Sequence, residues 1–300
     1  MKLTIILGLL ILSITAFAQD SSDTINVRVK LVNVFTSVTD EHGAPVGGLQ
    51  KENFQLFEDG KLQKISVFDR ESAIPLSILL AVDTSLSTRK DLPLELASAR
   101  KFAHDILRPV DGLSVYEFNE TVNEVTPFTS DLKHIDHAIE HLQVGAATAL
   151  YDAIYLGAEA LDKRQGRKVM VVITDGGDTV SQITYKEAIR RAQEAEAVLY
   201  SIIVVPIEAN AGRDTGGEHA LIQLSEDTGG RYFYASSMNQ LDQAFQQISE
   251  ELRTEYLLAY YPQAYRTDSD FHRIEVKVLN APPTSPLKVR HRTGYFVTSH

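Results

Sequence analysis

The sequence predicts an α/β domain inserted between the two halves of a β-sandwich. Two observations carry this prediction. Over residues 75–252, apolar runs alternate with helical patterns, which is typical of a mostly parallel sheet covered by helices on both faces. Before and after this region, apolar positions alternate with polar ones, as they do in strands that bury a single face.

The two flanking segments hold too few strands to fold separately. The first alternates from Ile25 to Leu31 and again from Phe54 to Val67, with turns at DEHGAP and EDGK, and the second offers the runs EYLLAYY, HRIEVKVL and LKVRHRTGYFV. Three or four strands rarely bury a core alone, and chain ends that lie close together tolerate an inserted domain. We therefore predict one sandwich made from residues 24–71 and 254–300, with the α/β domain at 72–253.

Six strands and six helices are predicted in the α/β domain. The most uniformly apolar strands, LSILLAV and VMVVIT, are expected to be central neighbours. Capping boxes are expected at Thr184 with Glu187 and at Ser237 with Gln240. The predicted strands are 76–82, 113–118, 122–128, 169–174, 199–205 and 231–234, and the predicted helices are 91–106, 132–142, 150–162, 184–195, 218–227 and 239–252.

The chain begins with MKLTIILGLLILSITAFAQD, in which one lysine precedes an apolar run that ends in Ala16-Phe17-Ala18. This pattern predicts a signal peptide over residues 1–18, cleaved after Ala18, and hence a secreted or periplasmic protein. A retained membrane anchor is the alternative, although the run is short for a membrane span and lacks a basic flank. No other segment is apolar enough to cross a bilayer.

Composition argues against several classes of partner. The chain has no cysteine, so an exported form would rely on its core or on bound metal rather than on disulfides. Its net charge is −11, which becomes −12 when the single charge of Lys2 leaves with the signal peptide. An acidic chain without a cluster of basic residues argues against nucleic acid and anionic membrane surfaces as partners. Divalent cations are the more natural counter-charge.

Small oxygen-bearing side chains follow the two predicted central strands. Asp83, Ser85 and Ser87 come directly after the first strand in AVDTSLST, and Asp175 follows the second in ITDGGD. In an open parallel sheet, ligands bind beyond the carboxyl ends of the central strands between which the strand order reverses. Thr148, in GAATALYDAI, stands at the entrance of the next helix. A role as a helix N-cap is the alternative explanation for this threonine.

Together these five residues offer two carboxylates, three hydroxyls and no nitrogen or sulfur ligand. Such a set suits Mg²⁺, with Mn²⁺ or Ca²⁺ as alternatives, and disfavours zinc or copper. Because hydroxyl ligands are neutral, the metal would keep residual positive charge. An incomplete ligand shell of this kind accepts a carboxylate from outside.

The strings AVDTSLST, GAATALYDA and VVITDGGDT resemble the three pieces of the metal-ion-dependent adhesion site of von Willebrand factor type A (VWA) domains. The flanks resemble a bacterial subgroup known from acidobacteria, in which FTSVTDEHGAPVGGLQKENFQLFEDGKLQKI precedes the domain and YYP and RTGYF follow it. The resemblance implies a Rossmann-like VWA domain that binds a divalent cation. Through that cation it would bind an acidic side chain of a partner protein.

The resemblance also implies a role for each site residue. Ser85 and Ser87 would coordinate the metal directly. Thr148 would do so directly or through water. Asp83 and Asp175 would act mainly through water or by orienting the hydroxyls.

The sequence disfavours an enzymatic function and offers no catalytic residue. Ser85 stands where an aspartic protease needs glycine and where a D-x-D phosphatase needs aspartate. Neither G-x-S-x-G nor H-E-x-x-H occurs. The expected function is a cation-dependent protein-binding module. A structural or assembly protein of the cell envelope, whose metal only stabilises the fold, is the alternative, and a metal-dependent hydrolase is a more remote one.

Three histidines, His134, His137 and His141, fall within about 60° of each other on the wheel of the second predicted helix. A solvated helix face is expected, with a zinc or pH-sensing patch as the alternative.

Overall fold

The computed structural model describes residues 31–70, 74–88, 92–205, 215–262, 270–279 and 286–297. The predicted signal peptide and the alternation that begins at Ile25 lie outside the described residues. Within the described part of the chain, no helix is both long and apolar enough to cross a membrane.

The described residues form fourteen strands and six α-helices. The strands are β1 (Val32–Thr39), β2 (Phe54–Glu58), β3 (Lys61–Gln63), β4 (Val67–Arg70), β5 (Leu76–Asp83), β6 (Gly112–Phe118), β7 (Val122–Thr129), β8 (Arg167–Thr174), β9 (Ala197–Val204), β10 (Tyr232–Ala235), β11 (Tyr256–Tyr260), β12 (Phe271–Val278), β13 (Lys288–Arg290) and β14 (Gly294–Phe296). The helices are α1 (Leu92–Ile106), α2 (Leu132–Glu140), α3 (Leu150–Asp162), α4 (Tyr185–Glu194), α5 (Thr215–Thr228) and α6 (Met238–Thr254).

The α/β domain contains a six-stranded sheet of order β10-β9-β8-β5-β6-β7, in which only the β6–β7 pair is antiparallel. Helices α1, α2 and α6 cover one face of this sheet, and α3, α4 and α5 cover the other. Every residue of β5 is therefore buried, which explains why its sequence does not alternate. From β5 the chain runs to β6 on one side and later to β8 on the other, so the strand order reverses between β5 and β8.

The predicted elements of this domain are all present, with ends that differ by three residues or fewer. The expected pairing of the two most apolar strands, β5 and β8, is confirmed. The capping box at Thr184 is also confirmed. The capping box predicted at Ser237 is only half formed. The Ser237 hydroxyl accepts the Gln240 N–H, but the Gln240 side chain accepts from both donors of Ser236 instead.

The N- and C-terminal segments form two antiparallel sheets, of order β13-β1-β11-β4 and β14-β12-β2-β3. Each sheet mixes strands from both segments. Apolar side chains from the two sheets share one core, which includes Val34 and Leu258 from the first sheet and Leu56 and Ile274 from the second. The predicted fold class, an α/β domain inserted into a sandwich, is thus confirmed.

The run LKVRHRTGYFV does not form a single strand as predicted. It splits into β13 and β14, which pair in different sheets. Between them, Thr293 donates its N–H to the Asp227 carbonyl at 3.0 Å, and the Arg292 guanidinium donates to the Asn33 carbonyl at 2.6 Å. These contacts turn the chain from one sheet to the other, and alternation alone cannot reveal them.

Buried polar groups join the end of α6 to the sandwich. The carboxylates of Glu251 and Glu255 flank the Ser37 hydroxyl of β1 at 2.9 and 2.8 Å, respectively. The Tyr200 hydroxyl of β9 lies 3.1 Å from each carboxylate. These four side chains therefore meet where the two domains touch. They come from β1, β9, α6 and the junction between α6 and β11.

Two arginines neutralise these carboxylates. Arg290 pairs with Glu251 at 2.5 Å, and Arg167, which is fully buried, pairs with Glu255. Arg167 also donates to the Leu252 carbonyl at 2.7 Å and so binds the last turn of α6. Burial raises the pKa of Glu255, and the charge of Arg167 opposes that rise. We call Ser37, Arg167, Tyr200, Glu251, Glu255 and Arg290 the interdomain network.

We expect Arg167→Met to lower the free energy of unfolding by about 3–5 kcal/mol, because it leaves the Glu255 carboxylate buried without its partner. Adding Glu255→Leu should restore most of the loss. As a control, Arg191→Met breaks the more exposed pair with Asp162 and should cost about 1 kcal/mol or less. Urea unfolding measures all three. Equal losses for Arg167→Met and Arg191→Met would contradict this account.

Candidate metal site

The carboxyl ends of β5 and β8 place two groups of polar side chains at one edge of the sheet. The strands pair in parallel with Val82 opposite Ile173, so Asp83 and Thr174, the last residues of the two strands, lie side by side. Asp83 is fully buried. Its Oδ2 accepts the Thr174 hydroxyl at 2.6 Å, and its Oδ1 accepts the Ser85 N–H at 2.8 Å. The carboxylate is thus fixed before any ligand binds.

The turn after β5 links Asp83 to the loop after β8. The hydroxyls of Ser85 and Ser87 lie 3.0 Å apart, and Ser87 donates to Asp175 Oδ1 at 3.0 Å. The Thr88 hydroxyl lies 3.1 Å from the Asp83 carbonyl and 3.0 Å from the Ser85 carbonyl, which closes the turn. Four of the five predicted site residues therefore belong to one chain of hydrogen bonds.

The fifth predicted residue, Thr148, lies on the loop before α3. It exchanges backbone contacts with Thr179, which follows β8: its N–H reaches the Thr179 hydroxyl at 2.9 Å, and its carbonyl accepts the Thr179 N–H at 2.8 Å. Gly145 of the same loop donates to the Thr84 carbonyl at 2.9 Å. The loop of Thr148 is therefore bound to both loops that carry the other four residues.

Thr148 is not the N-cap of α3. Ala149 occupies that position, without a side-chain capping bond. The Thr148 side chain is buried, and the hydrogen bonds that tie it to Thr179 use backbone groups of Thr148. The N-cap explanation for this threonine is therefore wrong.

Burial raises the pKa of Asp83 to about 6, although hydrogen bonds from Thr174 and Ser85 oppose the rise. The carboxylate of Asp175 raises the pKa further. A buried carboxylate beside a second carboxylate fits a divalent cation, which would offset both the desolvation and the repulsion. The donors are carboxylate and hydroxyl oxygens, the ligand class of Mg²⁺, Mn²⁺ and Ca²⁺.

Sequence reasoning missed Thr174 and Thr88, which position the site. Thr174 holds one oxygen of Asp83, and Thr88 closes the serine turn. The signal for Thr174 was present, because it contributes the single hydroxyl of the otherwise apolar run VMVVIT.

Residues 78–177 match the family model of the von Willebrand factor type A domain. The α/β domain is of the VWA type. The match begins within β5 and ends in the loop after β8, so it includes both strands that carry the candidate site and the elements between them. No protein with a curated description matches the sequence.

Solved structures share the fold. A von Willebrand factor type A structure from Catenulispora acidiphila has a TM-score of 0.51 and 12% identity, over 87% of this chain and 73% of that one. Proximal thread matrix protein 1 from the mussel byssus also has a TM-score of 0.51, with 16% identity over 63% of this chain and 49% of that one. The conserved hypothetical protein BatB from Bacteroides thetaiotaomicron has a TM-score of 0.48 and 21% identity, over 60% of this chain and 100% of that one. At such identities the first two show the fold alone.

We expect Asp83→Asn to stabilise the metal-free protein at high pH. An acid whose pKa rises on folding binds its proton more tightly in the native state, so stability falls as the pH rises from the ordinary pKa of 3.8 to about 6. At about pH 8 the variant should be more stable than the native protein by up to about 3 kcal/mol, and this advantage should vanish near pH 4. Urea unfolding in EDTA tests this.

The matched control is Asp105→Asn, which removes an exposed carboxylate of α1. It should show no comparable gain at high pH. If the difference in stability between Asp83→Asn and the native protein is the same at both pH values, Asp83 does not carry the burial penalty.

Proposed function

We propose that the protein is a divalent-cation-dependent protein-binding module. A cation held beyond β5 and β8 would bridge to an acidic side chain of a partner protein. The observation that carries this proposal is Asp83, a fully buried carboxylate that faces a second carboxylate, Asp175, at the switch point of the sheet. Burial of a carboxylate beside a second negative charge is costly unless positive charge compensates it.

The chain's own residues would hold the cation in defined roles. Ser85 and Ser87 are the proposed direct ligands, and their hydroxyls already lie 3.0 Å apart. Thr148 is proposed to bind directly or through water. Asp83 and Asp175 would act mainly by orienting hydroxyls and water. In support, Asp175 accepts the Ser87 hydroxyl, and Asp83 accepts the Ser85 backbone N–H.

A bound cation would supply a Lewis-acidic position with residual positive charge, because the side chains proposed to coordinate it, Ser85, Ser87 and Thr148, offer neutral hydroxyls. Such a position attracts an acidic side chain rather than a basic one. Mg²⁺ is the proposed ion, with Mn²⁺ and Ca²⁺ as alternatives that the same oxygen ligands accept. The acidic composition supports a protein partner rather than nucleic acid.

We propose binding rather than catalysis, and a secreted or periplasmic location that follows from the predicted signal peptide. The main alternative is a structural or assembly protein of the cell envelope. One observation favours this alternative: any cation that neutralises buried Asp83 would stabilise the fold, whether or not a partner binds.

Calorimetric titration with Mg²⁺ tests the metal site. We expect the native protein to bind Mg²⁺ and Asp83→Ala to lose that binding, because the variant removes the buried carboxylate that fixes Ser85. The matched control Asp105→Ala, which removes an exposed carboxylate, should bind as the native protein does. Absence of Mg²⁺, Mn²⁺ and Ca²⁺ binding by the native protein, or unchanged binding by Asp83→Ala, would overturn the proposal.

Affinity capture from the cell envelope of the source organism distinguishes the binding module from the structural alternative. The binding module should recover a protein in the presence of Mg²⁺ and release it into EDTA, and Asp83→Ala should not recover it. The structural alternative predicts a melting temperature that depends on metal, with no partner that EDTA releases.

A further inference from the structure

A second cluster of metal-binding side chains lies in the sandwich. Glu58 ends β2, Asp59 follows it in the turn, and His272 lies on β12. One ligand atom from each residue lies within 4.8 Å of the other two. The His272 Nδ1 is 2.7 Å from Asp59 Oδ2 and 3.5 Å from Glu58 Oε1.

The local sequence fixes this cluster. Asp59 and Gly60 in EDGK have φ angles of 48° and 76°, the left-handed pair that a two-residue hairpin turn requires. Asp59 also exchanges two 2.9 Å hydrogen bonds with the backbone of Arg273, one through its own N–H and one through Oδ1. Glu58 pairs with Ile274 across the strands, which places it on the same inward face as His272.

Burial separates this cluster from an ordinary surface ion pair. The side chains of Glu58 and His272 are only 3% and 10% exposed. The second carboxylate oxygen of Glu58 is also buried, and the Glu58 carboxylate lies close enough to the hydroxyls of Tyr260 and Tyr295 to raise the pKa of both. A charged carboxylate buried in this way is costly, and a bound cation would offset that cost.

We propose that Glu58, Asp59 and His272 form a binding site for a zinc-class transition-metal ion. Ligands that bind Zn²⁺ at about 2.0–2.2 Å in tetrahedral geometry lie roughly 3.4 Å from one another. The distances from His272 Nδ1 to Asp59 Oδ2, 2.7 Å, and to Glu58 Oε1, 3.5 Å, lie on either side of that spacing. One imidazole with two carboxylates suits Zn²⁺ better than Mg²⁺, and the two carboxylates balance the charge of a divalent ion.

The ion would take the place of the proton on His272 Nδ1. Asp59, whose side chain is 38% exposed, provides a path of entry from solvent. Its ligands come from both segments of the sandwich, since Glu58 and Asp59 precede the VWA domain and His272 follows it. In a chain without cysteine, such an ion would cross-link the two halves of the sandwich as a disulfide otherwise could.

The test uses the full chain with Co²⁺ as a spectroscopic probe and excess Mg²⁺, which would saturate the proposed oxygen-rich site of the VWA domain. We expect visible absorption bands of bound Co²⁺ and their loss on addition of Zn²⁺. His272→Gln keeps a donor for Asp59 but lacks the imidazole. His272→Gln should weaken Co²⁺ binding by at least about tenfold. Loss of a residue that only supports a metal ligand already weakens metal affinity by about that much, and His272 is itself a proposed ligand.

Two controls locate the ion. The double variant His137→Gln/His141→Gln removes an exposed histidine pair at the C-terminal end of α2, whose ring centroids lie 4.0 Å apart, and it should leave the bands unchanged. Asp83→Ala should also leave the Co²⁺ bands unchanged. The test of the sandwich site therefore does not depend on whether the proposed metal site of the VWA domain exists.

Absence of Co²⁺ bands from the native protein, or full bands in His272→Gln, would overturn the proposal. Circular dichroism establishes whether His272→Gln is folded. If it is not folded, Asp59→Asn takes its place, because it keeps the hairpin turn and removes one ligand charge. Full bands in Asp59→Asn would then overturn the proposal as well.

Discussion

The parallel pairing of β5 with β8 is the constraint on which the candidate VWA site depends. It brings Asp83 and Asp175, which lie on different strand ends far apart in sequence, to the same edge of the sheet. Because the strand order reverses between these two strands, their connecting loops diverge and leave a crevice at that edge. The apolar runs that bury β5 and β8 on both faces therefore determine where the polar residues can act.

Burial of Asp83 couples this site to the stability of the fold. Burial raises the pKa of Asp83 more than the hydrogen bonds from Thr174 and Ser85 lower it, and repulsion from Asp175 adds to the rise. A native structure that holds a carboxylate in this state without a cation is less stable than it would be with one. Cation binding and folding free energy are thus linked through a single side chain.

Much of the fold could be predicted because burial leaves a pattern in the sequence. The unbroken apolar runs of β5 and β8 indicated a two-sided sheet, and the order of Asp83, Ser85 and Asp175 after them indicated the site. Contacts that depend on packing between distant segments leave no such pattern. Thr174 looked like the last residue of a strand, and the turn at 291–293, which separates β13 from β14, depends on partners such as Asp227 in the VWA domain.

The interdomain network limits how the two domains can communicate. Helix α6 ends where Glu251 and Glu255 meet Ser37 and Arg290 of the sandwich and Arg167 of β8. A displacement of α6 along its axis would separate these buried charges, which costs several kcal/mol when a partner is lost. Ligand binding at the opposite edge of the sheet would have to supply that energy. Without it, the sandwich and the VWA domain hold α6 in one position.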